Sequence, residues 1–210
     1  MKKKEKMLDV VFVLDKSGSM SGSEDSTISS FNEYLEKEQK NEFQTRISTV
    51  LFSDDYSYLY RRVPVEKVHK LTNEDYIVGG CTALYDCLGN TISYMSQQDT
   101  DQVLFIIITD GYENASTEFD KQIIRRMIRK HSDWEFIYIG ADIDSYATGG
   151  EIGICQDNIA SFKKDRKGLS TLFRAVGSFE EAMMDEEVDC IGTNWKKDLD
   201  NYLNRVGGSD

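Results

Sequence analysis

Residues Val103–Thr109 read VLFIIIT, the most apolar run in the chain, and Asp110-Gly111 follows at once. A short, β-branched run without a polar interruption predicts a strand buried on both faces, and hence a central strand of a parallel sheet. Leu8–Leu14 (LDVVFVL) and Trp134–Gly140 (WEFIYIG) predict two more of the same kind, and Ile159–Phe162 a small further strand. Between these runs the period changes to that of a helix. Ile28, Phe31 and Leu35 share one face of a segment that runs to about Lys40, and Leu84, Leu88 and Ile92 share one face of Thr82–Met95. Further helices are expected over 118–130, 146–153 and 168–184, the last being the last clear helix. Gln44–Ser53 and Tyr56–Val63, separated by Asp54-Asp55, predict an antiparallel hairpin. Tyr56, Tyr58 and Tyr60 fall on one face of its second strand, and Pro64 ends that strand near a sheet edge. Strand and helix alternate. The fold expected is α/β and doubly wound: a mostly parallel central sheet with one antiparallel edge strand and helices on both faces.

The chain has 210 residues, a length that suits one domain. Residues 8–206 are expected to form it, with a basic tail over 1–7 and a disordered tail over 207–210. Twenty-five Lys and Arg against 37 Asp and Glu give a net charge of −12. That charge repels nucleic-acid phosphates and anionic membranes and suits a protein that holds a cation. No segment approaches the roughly 20 apolar residues needed to span a bilayer. The basic start at Met1–Lys6 is followed only by the short run Val10–Leu14, too little for a signal peptide. Cys81, Cys87, Cys155 and Cys190 lack Cys-x-x-Cys spacing, and only His69 and His131 accompany them, which argues against zinc. They read as free thiols and small buried hydrophobes in a reducing cytoplasm.

Three polar segments are expected at the carboxyl ends of strands, where open parallel sheets bind ligands. Asp15-Lys16-Ser17-Gly18-Ser19 follows the first strand, and Asp110-Gly111 follows the central one. Gly79-Gly80-Cys81-Thr82 opens a helix between them. Each has an ordinary reading: Ser17, Ser19 and Thr82 as helix caps, Asp110-Gly111 as a turn. Together they place two carboxylates and three hydroxyls, all hard oxygen ligands, on one edge of one sheet. Such a set suits Mg²⁺, Mn²⁺ or Ca²⁺.

Asp15-Lys16-Ser17-Gly18-Ser19-Met20, Gly80-Cys81-Thr82-Ala83-Leu84 and Ile108-Thr109-Asp110-Gly111 resemble the three parts of the metal-ion-dependent adhesion site (MIDAS) of the von Willebrand factor A-type (VWA, integrin I-like) family. Their order and separations match, and the resemblance covers Leu8 to Met184. It implies a Rossmann-like sheet with a metal bound by hydroxyls of Ser17, Ser19 and Thr82, and by Asp15 and Asp110 directly or through water. It also implies that a carboxylate from a protein partner completes the coordination, with no catalysis. Phe31-Asn32-Glu33-Tyr34-Leu35 and Gly140-Ala141-Asp142-Ile143-Asp144 resemble stand-alone bacterial and phage-associated cytoplasmic members of the tellurite-resistance type.

Two rival functions are compatible with the same residues. One is a metal-dependent phosphoester hydrolase or phosphoryl-transfer enzyme using Asp15, although Ser17 stands where the haloacid-dehalogenase pattern wants a second Asp. The other is a structural domain with a vestigial site. Among weaker features, Glu24 and Asp25 read as first-turn helix acids or a second cation site. Asp86 reads as an acceptor behind Thr82 or as part of a solvated helix face, and Asp142 and Asp144 as solvated loop acids. Lys163–Lys167 is a basic run too short to argue for nucleic acid.

Overall fold

Val10, Phe12 and Leu14 point to one side of their strand and Val11 and Val13 to the other, and all five are fully buried. In the computed structural model, which describes residues 7–41, 43–185 and 191–207, this strand is β1 (Leu8–Asp15) of a six-stranded sheet. The others are β2 (Thr45–Phe52), β3 (Tyr56–Pro64), β4 (Gln102–Thr109), β5 (Glu135–Gly140) and β6 (Ile159–Ser161). Their order is β3-β2-β1-β4-β5-β6, parallel except for the edge strand β3. The helices are α1 (Glu24–Glu38), α2 (Leu84–Met95), α3 (Lys121–Lys130), α4 (Ser145–Glu151), α5 (Arg166–Met184) and α6 (Lys197–Gly207).

Alternation in the strands sorts these helices into layers. Phe12, Leu14, Ile106 and Ile108 pack under α1 and α5, with Leu199 of α6 joining them. Val11, Val13, Phe105 and Ile107 pack under α2 and α3. Both faces of β1 and β4 are thus covered, which is why Val10–Leu14 and Val103–Ile108 are apolar without a break. The doubly wound sheet expected from the sequence is present. After β1 the chain winds outward to β2, then crosses back to β4 on the other side, so the order switches between β1 and β4. The crevice at such a switch point is where this architecture places ligands.

Three expectations are corrected. Tyr60 does not share a face with Tyr56 and Tyr58. The pairs Val50↔Tyr58 and Thr49↔Tyr60 leave Leu59 as an extra residue, and such a bulge reverses the face of the residues beyond it. Tyr56 and Tyr58 therefore pack on the α2 side, whereas Tyr60 packs on the α1 side and donates to His69 O at 2.8 Å. The helix over 168–184 is not the last, because α6 follows it and buries Leu199. Gly207 ends α6, and the terminal residues 1–6 and 208–210, on which the two expected tails fall, lie outside the described residues. The cysteines are not uniformly core residues. Cys87 is buried, but Cys81 and Cys155 are exposed; all three are free, and Cys190 lies outside the described residues.

One polar group in the α1–α5 layer has a measurable consequence. Tyr34 Oη donates to Glu180 Oε1 at 2.7 Å, and Glu38 is buried nearby. Burial, reinforced by the charge of Glu38, holds the Glu180 carboxyl well above its ordinary 4.5, while the Tyr34 contact pulls it down. Over the range above 4.5 the folded state then keeps a proton that the unfolded state has lost, so this group's contribution falls as pH rises. Glu180→Gln is expected to stabilise the fold by on the order of 1 kcal/mol, about 2–4 °C in Tm, at about pH 8. Near pH 4.5 the gain should vanish. Thermal melts across this range check it; a gain independent of pH would refute the assignment.

Candidate metal centre

Asp15 is the last residue of β1 and has no exposed surface. Its Oδ1 accepts the Ser17 N–H at 2.6 Å and its Oδ2 accepts the Thr109 hydroxyl, also at 2.6 Å. Thr109 ends β4, the strand beside β1. Burial raises the Asp15 carboxyl above its ordinary 3.8, the bonds from Thr109 and Ser17 lower it, and the nearby Asp110 charge raises it further. Tyr76 Oη donates to the Asp15 carbonyl and fixes the strand end from the α1 side.

After Asp15 the chain turns through a single 3-10 turn, Gly18–Met20. Neither Ser17 nor Ser19 caps α1, and its actual N-cap residue, Ser23, turns its hydroxyl to Met20 O. The hydroxyls of Ser17 and Ser19 instead lie 3.0 Å apart, and Ser19 Oγ donates to Asp110 Oδ1 at 2.5 Å. Asp110 follows β4 directly and is 5% exposed. Thr82 reaches the same place from a third segment. A Cβ added at Gly111 would lie 2.8 Å from Thr82 Oγ1 and 3.3 Å from Ser19 Oγ, so both hydroxyls border the space that Gly111 leaves open. Thr82 does not cap α2, whose N-cap is Ala83. Its backbone is gripped by Asn114 instead: Thr82 N donates to Asn114 Oδ1 at 2.9 Å and Asn114 N to Thr82 O at 3.0 Å. The loop before Thr82 is moored to the first, with Gly18 N donating to Gly80 O at 3.0 Å and Gly79 N to Lys16 O at 2.9 Å. Gly80 has φ +82°, a conformation that favours glycine.

The five oxygen-bearing residues singled out from the sequence, Asp15, Ser17, Ser19, Thr82 and Asp110, thus lie at one end of the β1–β4 pair. Their chemistry fits a hard divalent ion. Adjacent oxygens of an octahedron with bonds of about 2.1 Å stand about 2.9 Å apart. The 3.0 Å between the Ser17 and Ser19 hydroxyls matches that spacing.

The weaker candidates have other duties. Glu24 and Asp25 occupy the first turn of α1. Asp86 is neither behind the site nor merely solvated: its carboxylate accepts the N–H groups of Thr117, Glu118 and Phe119 and so ties down the approach to α3. That contact is one reason the helix begins at Lys121, capped by Asp120, instead of at 118. Asp144 caps α4 by accepting from Ala147 N at 2.9 Å. Sequence reasoning missed Thr109, Asn114, Tyr76 and Lys164. Thr109 was visible as the one polar residue ending an apolar run. Lys164 gave no local signal, yet its Nζ donates to Asp110 Oδ2 at 2.6 Å and to Ser19 O at 3.0 Å.

Similar solved structures share this fold. The proximal thread matrix protein 1 of the mussel byssus, with zinc in its MIDAS motif, superposes with a TM-score of 0.62 at 18% identity over 82% of this chain and 45% of its own. The PilB minor pilin of Streptococcus sanguinis gives 0.63 at 11% identity over 88% of this chain and 63% of its own. The ArnB paralogue VWA2 of Sulfolobus acidocaldarius gives 0.58 at 19% over 81% and 45%. The chain therefore spans less than two thirds of each of these neighbours, and at such identities the likeness shows the fold alone. No curated protein sequence matches it. The von Willebrand factor type A domain model matches residues 9–174, which include all five candidate ligands and most of the described elements. The chain belongs to the von Willebrand factor type A domain family.

Proposed function

We propose that this chain is a cation-dependent protein-binding domain. Asp15, Ser17, Ser19, Thr82 and Asp110 would hold a Mg²⁺-type ion, Mn²⁺ and Ca²⁺ being chemically admissible, at the top of the sheet. An Asp or Glu side chain of a protein partner would complete its coordination. The observation that carries this reading is the meeting of Ser17 Oγ, Ser19 Oγ and Asp110 Oδ1, in successive contacts of 3.0 and 2.5 Å, from segments 91 residues apart. When bound, the ion would supply a positive charge and an exchangeable coordination position. The chain orients the hydroxyls, and the hydrogen bonds to Asp15 hold that carboxylate in place behind them.

The same geometry disfavours the hydrolase. Asp15 is buried with both oxygens accepting hydrogen bonds, a poor arrangement for a nucleophile that must reach phosphorus. His131 stacks on Trp134 ahead of β5, at the opposite end of the sheet, so it is no general base for this site. Placement in a reducing cytoplasm, as in the stand-alone VWA proteins that the sequence resembles, is supported by the exposed free thiols of Cys81 and Cys155. Among the described residues no helix is long and apolar enough to cross a membrane.

An ion bound only by the folded state stabilises it by about 2.7 kcal/mol at a hundredfold excess over Kd, about 5–10 °C in Tm for this size. Mg²⁺ should therefore raise Tm in the parent chain and leave Asp15→Ala and Asp110→Ala nearly unmoved. Partner capture from native lysate should be lost in EDTA and with Thr82→Ala. An equal Mg²⁺ response in all variants would sink the metal assignment; capture indifferent to EDTA would make the ion structural.

A further inference from the structure

Lys164 lies between β6 and α5 and reaches back across the top of the sheet. Its Nζ contacts Asp110 Oδ2 at 2.6 Å, Ser19 O at 3.0 Å and Asp142 Oδ2 at 3.1 Å. These acceptors come from the segments after three strands, β4, β1 and β5, so one ammonium bridges three rims of the sheet. Its side chain is only 23% exposed and that of Asp110 is fully buried, unlike the loose ion pairs of a protein surface.

The local backbone is built to bring it there. Asp165 caps α5 by accepting from Gly168 N at 2.7 Å. A Cβ at Gly168 would stand 2.0 Å from Lys163 O, so only glycine lets the segment carrying Lys164 fold this closely on the helix. Asp142 has φ +54°, a conformation rare for a non-glycine residue, and its carboxylate meets Lys164 from the far side.

We infer that Lys164 is a tethered counter-cation that holds the two-carboxylate site together without metal and that an incoming divalent ion must displace or repel. This rests on the metal reading above and adds to it the residue that sets the affinity. Asp15 and Asp110 are near each other and buried, a setting where like charges repel more strongly than in water. Lys164 offsets that repulsion by taking Asp110 Oδ2 and leaves Oδ1 turned toward Ser19. A divalent ion drawn to Asp110 meets the ammonium as a like charge a few ångströms away. Binding is therefore weaker than the oxygen set alone would give, and the metal-free site does not spring apart.

Mg²⁺ and Mn²⁺ affinities of the folded full chain, by calorimetry and by Mn²⁺ electron paramagnetic resonance, test this in Lys164→Met, Lys164→Gln and Lys164→Arg. The two neutral variants should bind the ion about tenfold more tightly or better, and the arginine variant within about threefold of the parent, because charge is what distinguishes them. In EDTA the neutral variants should melt below the parent, and saturating Mg²⁺ should close that gap. Lys164→Gln keeps a hydrogen-bond donor and so secures the comparison if Lys164→Met folds poorly. Equal or weaker metal binding by both neutral variants, with the parent still binding, overturns the counter-cation role and leaves the metal site standing. No binding by the parent or by any variant overturns both.

Discussion

Gly111→Ala is expected to abolish the stabilisation by Mg²⁺ while leaving the metal-free protein folded. The added methyl would lie 2.8 Å from Thr82 Oγ1 and 3.3 Å from Ser19 Oγ, so these two side-chain oxygens must shift to admit it. Gly111 is not among the glycines with positive φ, so alanine meets no backbone penalty there. The cost to the empty fold should be about 1 kcal/mol, the low end of what an extra methyl costs in a packed site, because Thr82 is buried while Ser19 is exposed and can yield. The cost to ion binding is of another order. Turning Thr82 and Ser19 away removes two of the five proposed ligands, and Mg²⁺ tolerates little departure from octahedral geometry. The expected loss is essentially all of the roughly 2.7 kcal/mol gained by the parent at a hundredfold excess of ion. Paired melts in EDTA and in Mg²⁺ measure both quantities. A variant that melts like the parent in EDTA and still gains its full increment in Mg²⁺ would place the ion elsewhere than beside Gly111.

How far the sequence foretold this depends on the range of the interactions involved. Val103–Ile108 and Val10–Leu14 announced buried strands because burial on both faces leaves a purely local mark, an unbroken apolar run. The five candidate ligands were legible because each sits at a strand or helix end with a glycine beside it or nearby. The bulge at Leu59 was not, since the alternation Tyr56, Tyr58, Tyr60 is intact in the sequence and is broken only by pairing with Thr49 and Val50. Helix α6 was missed although Leu199, Tyr202, Leu203 and Val206 recur at helical spacing; its other residues are polar and charged, which masked the stripe. Lys164 illustrates the limit. It meets Asp110 across 54 residues, and in the chain it is one lysine within a basic run. Only the placement of β6 beside β5 and the closure against Gly168 give that lysine its partner.

The second large effect lies at the other end of β1. Arg62→Ala is expected to destabilise the fold by about 3–5 kcal/mol, the range for removing one partner of a buried ion pair. Asp9, the second residue of β1, is 1% exposed. Arg62 grips it with both arms, Nε to Oδ1 at 2.8 Å and Nη2 to Oδ2 at 2.9 Å, and Nη2 also donates to Asp99 O at 2.7 Å. The second irregularity of β3, between the pairs formed by Ile47 and Thr49, places Arg62 at φ +50° with its N–H on Ser48 Oγ. From there the side chain reaches Asp9 of β1, beyond the intervening β2. Alanine would inherit the strained backbone and leave a buried carboxylate without its cation. Lysine would keep the charge but lose the two-armed geometry, and should fall between alanine and the parent. Adding Asp9→Asn to Arg62→Ala removes the stranded charge, so the double variant should be more stable than Arg62→Ala alone, by a coupling above about 1 kcal/mol in urea denaturation. A cost of under about 1 kcal/mol for Arg62→Ala would mean that Asp9 finds water when the arginine is gone. Metal affinity of the folded fraction should stay unchanged, because Asp9 and Asp15 stand at opposite ends of one strand. That contrast bears on function. Asp9 is neutralised by an arginine held on the sheet itself, whereas Asp15 at the other end accepts from the neutral donors of Ser17 and Thr109. Its charge is thereby left to act on whatever cation enters between Ser17, Ser19 and Asp110.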